Sequence, residues 1–180
     1  MFSLLSIQAQ EVENENLQTE KRDLGKNDLS IGALNLVAFG AIDLSYERIL
    51  TARSGFATEV FIKALNRDNE DVAEAYERDF SLTGKYKYYF GDNYARGFYV
   101  HGLGMLSSGE YRVNEYYDNG NYVYEDQKYT DFALGFGVGG KFVSSGGFFL
   151  DLSTGIGRNL FNDDSPTIVG QFNVNLGFRF

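Results

Sequence analysis

Apolar and polar residues alternate along eight segments of the chain, and this pattern limits the possible folds more than any other feature. Successive side chains of a β-strand point to opposite faces of a sheet, so the alternation indicates strands with one apolar face and one polar or small face. Abundant glycine, tyrosine and phenylalanine, with a single proline, favour the same interpretation. The predicted strands are residues 27–37, 42–50, 55–65, 78–90, 97–108, 128–142, 147–157 and 167–180.

The last predicted strand shows the two faces most clearly. Its apolar side contains Ile168, Phe172, Val174, Leu176, Phe178 and Phe180, and its polar side contains Gln171, Asn173, Asn175 and Arg179. A closed barrel of about eight strands has an interior only just wide enough for side chains, and the bulky face exceeds that space. We therefore expect the polar face to fill the interior and the bulky face to meet lipid. The predicted fold class is all-β, an eight-stranded antiparallel up-and-down transmembrane β-barrel formed by residues 27–180.

The connections between the predicted strands differ in length. Bacterial outer-membrane barrels combine short periplasmic turns with longer outer loops. With a periplasmic N-terminus, the short turns are residues 51–55, 91–96 and 143–147, and the outer loops are residues 66–77, 109–127 and 158–166. The first outer connection, near residues 39–41, is predicted to be unusually tight. This sorting predicts a location in the outer membrane of a Gram-negative cell.

The N-terminal residues precede the predicted barrel. Residues 1–9 are interpreted as a signal-peptide remnant, because a short apolar run leads to the small residue Ala9. The usual basic segment is missing, so either the true start lies upstream of Met1 or the run is only an apolar N-terminus. Residues 10–26 are charged and nearly devoid of apolar side chains, which predicts a flexible periplasmic segment.

Composition excludes several classes of function. The net charge of −9 argues against a nucleic-acid partner, because nucleic-acid affinity depends on Lys and Arg that neutralise phosphates. Without cysteine there is neither a disulfide framework nor a cysteine zinc site. No segment has the roughly 20 consecutive apolar residues of a transmembrane helix.

Two motifs resemble a family of small outer-membrane proteins of unknown function. They are Leu44-Ser45-Tyr46-Glu47-Arg48, which follows NDLSIGALNL, and the closing FNVNLGFRF, and the resemblance covers residues 27–180. It implies an eight-stranded transmembrane barrel like those of OmpA and OmpX, with no established activity. The aromatic C-terminus also resembles the signal that the barrel-assembly machinery reads, so by analogy Leu176, Phe178 and Phe180 would engage that machinery during insertion.

The predicted interior face carries charges of both signs. They lie at Asp43, Glu47, Glu59, Lys63, Lys85, Lys87, Asp131, Lys141, Asp151 and Arg179. Charges removed from bulk water persist when they are paired, so we predict a salt-bridged polar network that plugs the lumen. The alternative is a narrow path for ions or small solutes, or a gate that opens when partners switch.

Aromatic residues near the predicted strand ends suit the interfacial girdles of a membrane barrel. They are Tyr46, Tyr86, Tyr88, Phe90, Phe98 and Tyr99. Ordinary β-propensity is the alternative explanation.

The single histidine, His101, raises the alternative of a lipid-modifying barrel enzyme, since such sites combine His with Ser and an acid. Ser107, Ser108 and Glu110 follow, but a rise of about 3.3 Å per residue puts Ser107 some 20 Å away along one strand. The prediction is therefore a girdle or lumen histidine, with no catalytic residue and no cofactor.

Two acidic clusters, residues 68–71 and Asp163-Asp164, have oxygen ligands that Ca²⁺ accepts. Neither has the spacing or the turn glycine of an EF-hand loop, so we predict solvated loops and no metal site. External acids of this kind are also able to bridge through divalent ions to lipopolysaccharide.

Residues 110–129 are the most distinctive part outside the predicted membrane. Asn119-Gly120 is a strong type I′ hairpin signal, which predicts a protruding ribbon. Its tyrosines are Tyr111, Tyr116, Tyr117, Tyr122 and Tyr124, and they serve either to bind a partner protein or to pair across the ribbon and stiffen it. A two-residue turn would direct His101, Leu103 and Met105 to lipid unless a bulge near residues 107–109 reverses the facing.

The sequence thus predicts a non-enzymatic integral outer-membrane β-barrel with a structural or surface-interaction role. Its expected partners are outer-membrane lipids and lipopolysaccharide, the barrel-assembly machinery, and an extracellular or envelope protein at the ribbon.

Overall fold

The computed structural model describes residues 25–64, 78–91, 93–118, 121–162 and 165–180, with the side chains of residue 39 and residues 111–126 left aside. These residues form eight strands and one short helix: β1 (Asn27–Gly32), α1 (Ala33–Phe39), β2 (Ala41–Thr51), β3 (Ser54–Lys63), β4 (Phe80–Tyr89), β5 (Gly97–Asp118), β6 (Asn121–Val143), β7 (Phe148–Asn159) and β8 (Ile168–Arg179). Each strand pairs with the next, and the sheet closes into a barrel. The predicted eight-stranded, antiparallel up-and-down barrel is confirmed.

The barrel closes where its first and last strands meet. β1 and β8 pair antiparallel, with Asp28 opposite Arg179. Beyond them, the backbone N–H of Phe180 donates to the Asn27 carbonyl at 2.8 Å, and the Asn27 N–H donates to the Phe180 carbonyl at 3.0 Å. The pairing covers residues 28–32 of β1 and 175–179 of β8. Beyond Gly32, α1 contacts both β8 and β2 in place of a longer first strand.

The two faces of the barrel wall differ in chemistry. On β8, outward-facing Phe172 is 51% exposed while the next residue, Asn173, is 1% exposed. The same alternation of exposed and buried positions runs along β2 and β4. The apolar faces therefore lie outside and the polar faces inside, as the alternation predicts.

The two ends of the barrel carry different connections. At the turn end, residues 52–53, 90–96 and 144–147 join strands, and residues 25 and 180 lie beside them. At the loop end lie α1, residues 64 and 78–79, and residues 160–162 and 165–167. The predicted signal remnant, the segment 10–24 and both acidic clusters fall outside the described residues.

The first strand is shorter than predicted. It ends at Gly32, and α1 occupies residues that the sequence analysis assigned to strand and to a tight connection. Two interactions favour the helix over a longer strand. The Asn35 amide donates to the Asp43 carboxylate at 2.6 Å, and Gly40, with φ of 63°, ends the helix in the left-handed conformation that glycine adopts without strain.

β5 and β6 continue past the barrel as a two-stranded ribbon. β4 pairs with β5 only as far as Ser108, and β7 pairs with β6 only from Ala133. The bulge predicted near residues 107–109 lies instead at Val113, where the register shifts between Arg112 and Asn114. This extra residue turns the odd positions of β5 inward, so His101, Leu103 and Met105 face the interior, the alternative that the sequence analysis linked to a bulge.

Candidate functional site

The interior at the turn end contains a continuous chain of ion pairs. Arg179 of β8 donates to Asp28 of β1 through Nε at 2.7 Å and Nη2 at 2.9 Å. Asp28 accepts from Lys141 of β6 at 2.8 Å, and Lys141 also donates to Glu47 of β2 at 2.6 Å. Lys141 therefore joins strands that are not neighbours in the sheet, so these bonds cross the lumen.

The chain of ion pairs continues towards the loop end. Lys87 of β4 lies 2.8 Å from Glu47 and 2.8 Å from Asp151 of β7. Asp151 also lies 3.6 Å from Lys141. We call the connected residues the ion-pair ladder; they are Asp28, Glu47, Lys87, Lys141, Asp151 and Arg179.

Two buried tyrosines complete the hydrogen bonding of the ladder. The Tyr89 hydroxyl donates to Glu47 at 2.7 Å, and the Tyr99 hydroxyl donates to Asp151 at 2.6 Å. The prediction of Tyr99 as a girdle residue is wrong, because its side chain is only 2% exposed and points inward. Sequence analysis also missed Asp28 and Tyr89, although each follows the alternation of its strand.

Opposite charges balance within the ladder. Three cations face three anions, and each lies within 3 Å of a partner of opposite sign. Burying an ion costs several kcal/mol unless an ion of opposite charge and further hydrogen bonds compensate. In the ladder, the ion pairs and the two tyrosine hydroxyls provide this compensation. The ladder therefore fills this part of the lumen without adding net charge to it.

A separate ion pair lies in the middle of the barrel. Lys85 donates to Glu59 at 2.6 Å, and Asn173 donates to the same carboxylate oxygen at 3.1 Å. These three side chains come from β4, β3 and β8, so they too connect opposite parts of the wall.

The β4–β5 turn covers the turn end of the barrel. Arg179 donates through Nη1 to the Tyr94 carbonyl at 3.0 Å and through Nη2 to the Ala95 carbonyl at 2.8 Å. The Ala95 N–H donates to the Ala52 carbonyl at 2.8 Å, which links this turn to the β2–β3 turn. One arginine thus joins the ladder to the segment that covers the mouth.

Arg78 enters the interior from a loop at the other end. Its guanidinium donates to the Gly170 carbonyl at 3.2 Å, contacts the Met105 sulfur at 3.6 Å and lies 4.8 Å from the centre of the Phe61 ring. Sequence analysis missed Arg78 because the predicted strand 78–90 gives it the outward parity of Phe80, whereas β4 begins only at Phe80.

Three other predicted interior charges have different surroundings. Asp43 is buried and bonded to α1. Asp131 accepts from the Ser165 hydroxyl at 2.6 Å and from the backbone N–H groups of Phe161 at 3.0 Å and Asn162 at 3.1 Å, so it holds a loop. The prediction of Lys63 as an interior residue is wrong, because its side chain is 41% exposed and lies 3.8 Å from Asp79.

His101 is a buried interior residue. Its ring lies 5.8 Å from that of Tyr99, and it packs where Gly137 leaves space. Ser107 faces inward six residues further along β5, about 20 Å away at a rise of about 3.3 Å per residue. Glu110 is exposed, 3.6 Å from Lys128. These residues do not assemble a catalytic triad.

Within the described ranges, no group of three or more His, Asp or Glu side chains has the arrangement of a metal site. In the same part of the chain, no helix is long and apolar enough to cross a membrane.

A closed barrel with ion pairs inside and apolar side chains outside defines a small up-and-down β-barrel of inverted polarity. No family model matches the chain, and no curated protein matches it. Among solved structures it is similar to the N-terminal β-barrel domain of OprF from Pseudomonas aeruginosa, with 14% identity, a TM-score of 0.46 and coverage of 88% of this chain and 100% of that one. It is also similar to the outer membrane protein Ail of Yersinia pestis in a phospholipid bilayer nanodisc, with 18% identity, a TM-score of 0.43 and coverage of 87% and 99%.

Proposed function

We propose that this chain is an integral, non-enzymatic β-barrel of the outer membrane, with a closed interior and a ribbon that contacts another protein. The observation that carries the proposal is the apolar outer surface of the barrel. Large exposed apolar side chains come from every strand, among them Leu29, Leu44, Phe56, Leu82, Val100, Phe136, Ile156 and Phe172. A belt of this extent around a closed barrel fits lipid, because exposed apolar patches beyond a few hundred Å² mark interaction surfaces.

The membrane assignment is tested by the behaviour of the purified chain. We expect it to need detergent for solubility and to migrate differently on gels before and after heating, because a folded membrane barrel resists the gel detergent until heated. A chain that stays soluble without detergent and migrates identically under both conditions contradicts the assignment.

The ion-pair ladder supports a closed interior in preference to a pore. Bonds from Lys87 and Lys141 cross the lumen, and Arg179 holds the β4–β5 turn against the turn end. We expect no discrete conductance steps from the wild-type chain in planar lipid bilayers. Regular steps with a single unit conductance would favour the alternative of a narrow ion path.

The surroundings of His101 support a role without catalysis. His101 is 4% exposed, and its imidazole faces the interior, away from lipid. Ser107 lies about 20 Å from it along β5, at a rise of about 3.3 Å per residue, and Glu110 is exposed on the ribbon. Mass spectrometry of outer-membrane lipids from cells with and without the gene is expected to show the same lipid species. A modified lipid that appears only with the gene would contradict this part of the proposal.

The ribbon supports contact with a protein because neither of its edges pairs with another strand among the described residues. Along residues 110–118, β5 has no pairing with β4, and β6 has no pairing with β7 along residues 121–131, before the Phe132 carbonyl accepts from the Leu160 N–H. Such edges accept an added strand. Residues 110–129 contain five acidic and two basic side chains, so a strand with basic residues is favoured.

Site-specific photo-cross-linking in cells tests the ribbon. A photoreactive residue at position 116 is expected to give a discrete cross-linked product, and the same residue at Ser145 of the β6–β7 turn is expected to give none. Equal products at both positions, or none at position 116, would contradict a contact at the ribbon.

Lipids and the barrel-assembly machinery are the remaining proposed partners. Leu176, Phe178 and Phe180 face outward next to the β1–β8 seam, where they are accessible to the machinery during insertion. Phe180→Ala is expected to lower the folded yield in cells while leaving refolding in detergent unchanged. An unchanged yield in cells would contradict the role in assembly.

A further inference from the structure

A cleft lies on the outer side of the barrel at the turn end, between the β4–β5 and β6–β7 turns. Its volume is about 490 Å³. The lining residues used below are Asn93, Arg96, Phe142, Ser144, Phe148 and Leu150. Lys141 of the ion-pair ladder also lines the cleft, but its ammonium group bonds to Asp28 and Glu47 inside the lumen.

One wall of the cleft is apolar. Phe142 of β6 is 58% exposed and Phe148 of β7 is 54% exposed, and Leu150 pairs with Phe142 across the two strands. The preceding outward position on β6 is Gly140, and the Phe142 ring lies over it, 3.6 Å from the place that a Cβ atom would take. A hydrocarbon chain has room to lie along this surface.

The rim of the cleft is cationic. Among the described residues, the guanidinium of Arg96 has one partner, the Asn93 side-chain oxygen at 3.4 Å. No described carboxylate pairs with Arg96. A guanidinium presents a planar fork of N–H groups that matches two oxygens of a phosphate.

We propose that this cleft binds one anionic phospholipid, with its phosphate at Arg96 and an acyl chain along Phe142, Phe148 and Leu150. The inference rests on the proposed membrane location, which puts the turn end at the periplasmic surface of the outer membrane. Cationic and apolar groups then lie at the depths where the headgroup and acyl chains of that leaflet lie. This amphipathic lining favours a whole lipid over a free phosphate.

Native mass spectrometry of the delipidated barrel in non-ionic detergent tests the proposal. The probes are phosphatidylglycerol and phosphatidylcholine with identical acyl chains. Both lipids carry the phosphate, but the choline cation of phosphatidylcholine is repelled by Arg96, so we expect one phosphatidylglycerol to bind with about tenfold preference. Arg96→Gln is expected to remove this preference, and Phe148→Ala is expected to weaken the binding of both lipids.

Arg53→Gln is the matched control, because Arg53 is an exposed arginine on another turn at the same end and does not line the cleft. It is expected to retain the preference. Equal binding of the two lipids by the wild-type barrel, or equal losses in Arg53→Gln and Arg96→Gln, would overturn the proposal. Displacement of the lipid by soluble glycerol phosphate at the same concentration would also overturn it.

The two proposals fail in distinguishable ways. A chain that is soluble and insensitive to heating contradicts the membrane location, and the lipid site with it. A heat-modifiable barrel that inserts into vesicles but shows no lipid preference contradicts the lipid site alone.

Discussion

The two halves of the barrel interior are built differently. At the turn end, the ion-pair ladder joins ionised side chains from β1, β2, β4, β6, β7 and β8. Towards the loop end, the buried carboxylates of Asp43 and Asp131 accept from uncharged groups, and the facing hydroxyls of Ser81 and Ser107 have no hydrogen-bond partner among the described residues. Buried ions demand specific partners, whereas a buried hydroxyl demands much less.

The difference indicates where the stability and the closure of the barrel reside. Each ion of the ladder holds an ion on a different strand, so removing one leaves buried ions of the opposite sign with fewer partners. The loop-end interior depends less on any single contact. We therefore expect equal chemical changes to cost more at the turn end than at the loop end.

Glu47→Ala should have the largest effect. Glu47 accepts from Lys87, Lys141 and Tyr89, so its loss leaves two buried ammonium groups with fewer partners. The expected loss in the free energy of unfolding is about 3–5 kcal/mol, the cost of breaking a buried ion pair by removing one partner. Urea unfolding of the barrel from lipid vesicles measures it, and a loss below about 1 kcal/mol would contradict the role of the ladder.

The Lys85–Glu59 pair allows a test of charge balance. Lys85→Met alone leaves Glu59 buried with only Asn173 described as a hydrogen-bond partner, at an expected cost of about 3 kcal/mol. The double variant Lys85→Met/Glu59→Leu removes both charges, and we expect it to recover most of that loss. The same unfolding measurement compares them. A double variant less stable than the single variant would show that the pair stabilises the barrel beyond neutralising each buried charge, which contradicts this expectation.

Asp131→Ala should have a smaller, local effect at the loop end. It removes the acceptor for the Phe161 and Asn162 N–H groups and for the Ser165 hydroxyl, at an expected cost of about 1–3 kcal/mol. Amide hydrogen exchange should accelerate in residues 160–162 and remain unchanged in β2. Lys128→Ala, a change at an exposed residue, is the control. Uniform acceleration over the whole barrel would contradict a local role.

Ser107→Ala should have the smallest effect. The hydroxyl is buried without a hydrogen-bond partner among the described residues, so its removal leaves no partner unsatisfied. We expect the free energy of unfolding to change by less than about 0.5 kcal/mol, the range of substitutions that break no specific interaction. A loss comparable to that of Glu47→Ala would remove the contrast between the two halves.

Alternation predicted the strands and their faces because it depends only on neighbouring residues. Phe172 and Asn173 have the facing that their positions predict. Alternation did not predict which side chains of β5 point inward, because this depends on one bulge residue in the ribbon, Val113. No local sequence pattern reveals that bulge. That one residue explains why Tyr99 was misplaced.

The rims of the barrel limited the prediction of the interior site. Lys63 has the parity of an interior residue but lies at the end of β3, where the wall stops and solvent begins. Arg78 enters from a loop, and α1 depends on a contact between Asn35 and Asp43. Such positions depend on tertiary contacts, which the period of a strand does not encode.

A single tryptophan tests the central claim most directly, because the chain contains none of its own. Phe136 is 70% exposed in the middle of the apolar surface, and Ser145 lies on an exposed turn. In vesicles whose acyl chains carry bromine, the fluorescence of Phe136→Trp should be strongly quenched and that of Ser145→Trp should not. Unquenched fluorescence from Phe136→Trp would show that the apolar surface does not meet lipid, which contradicts the account.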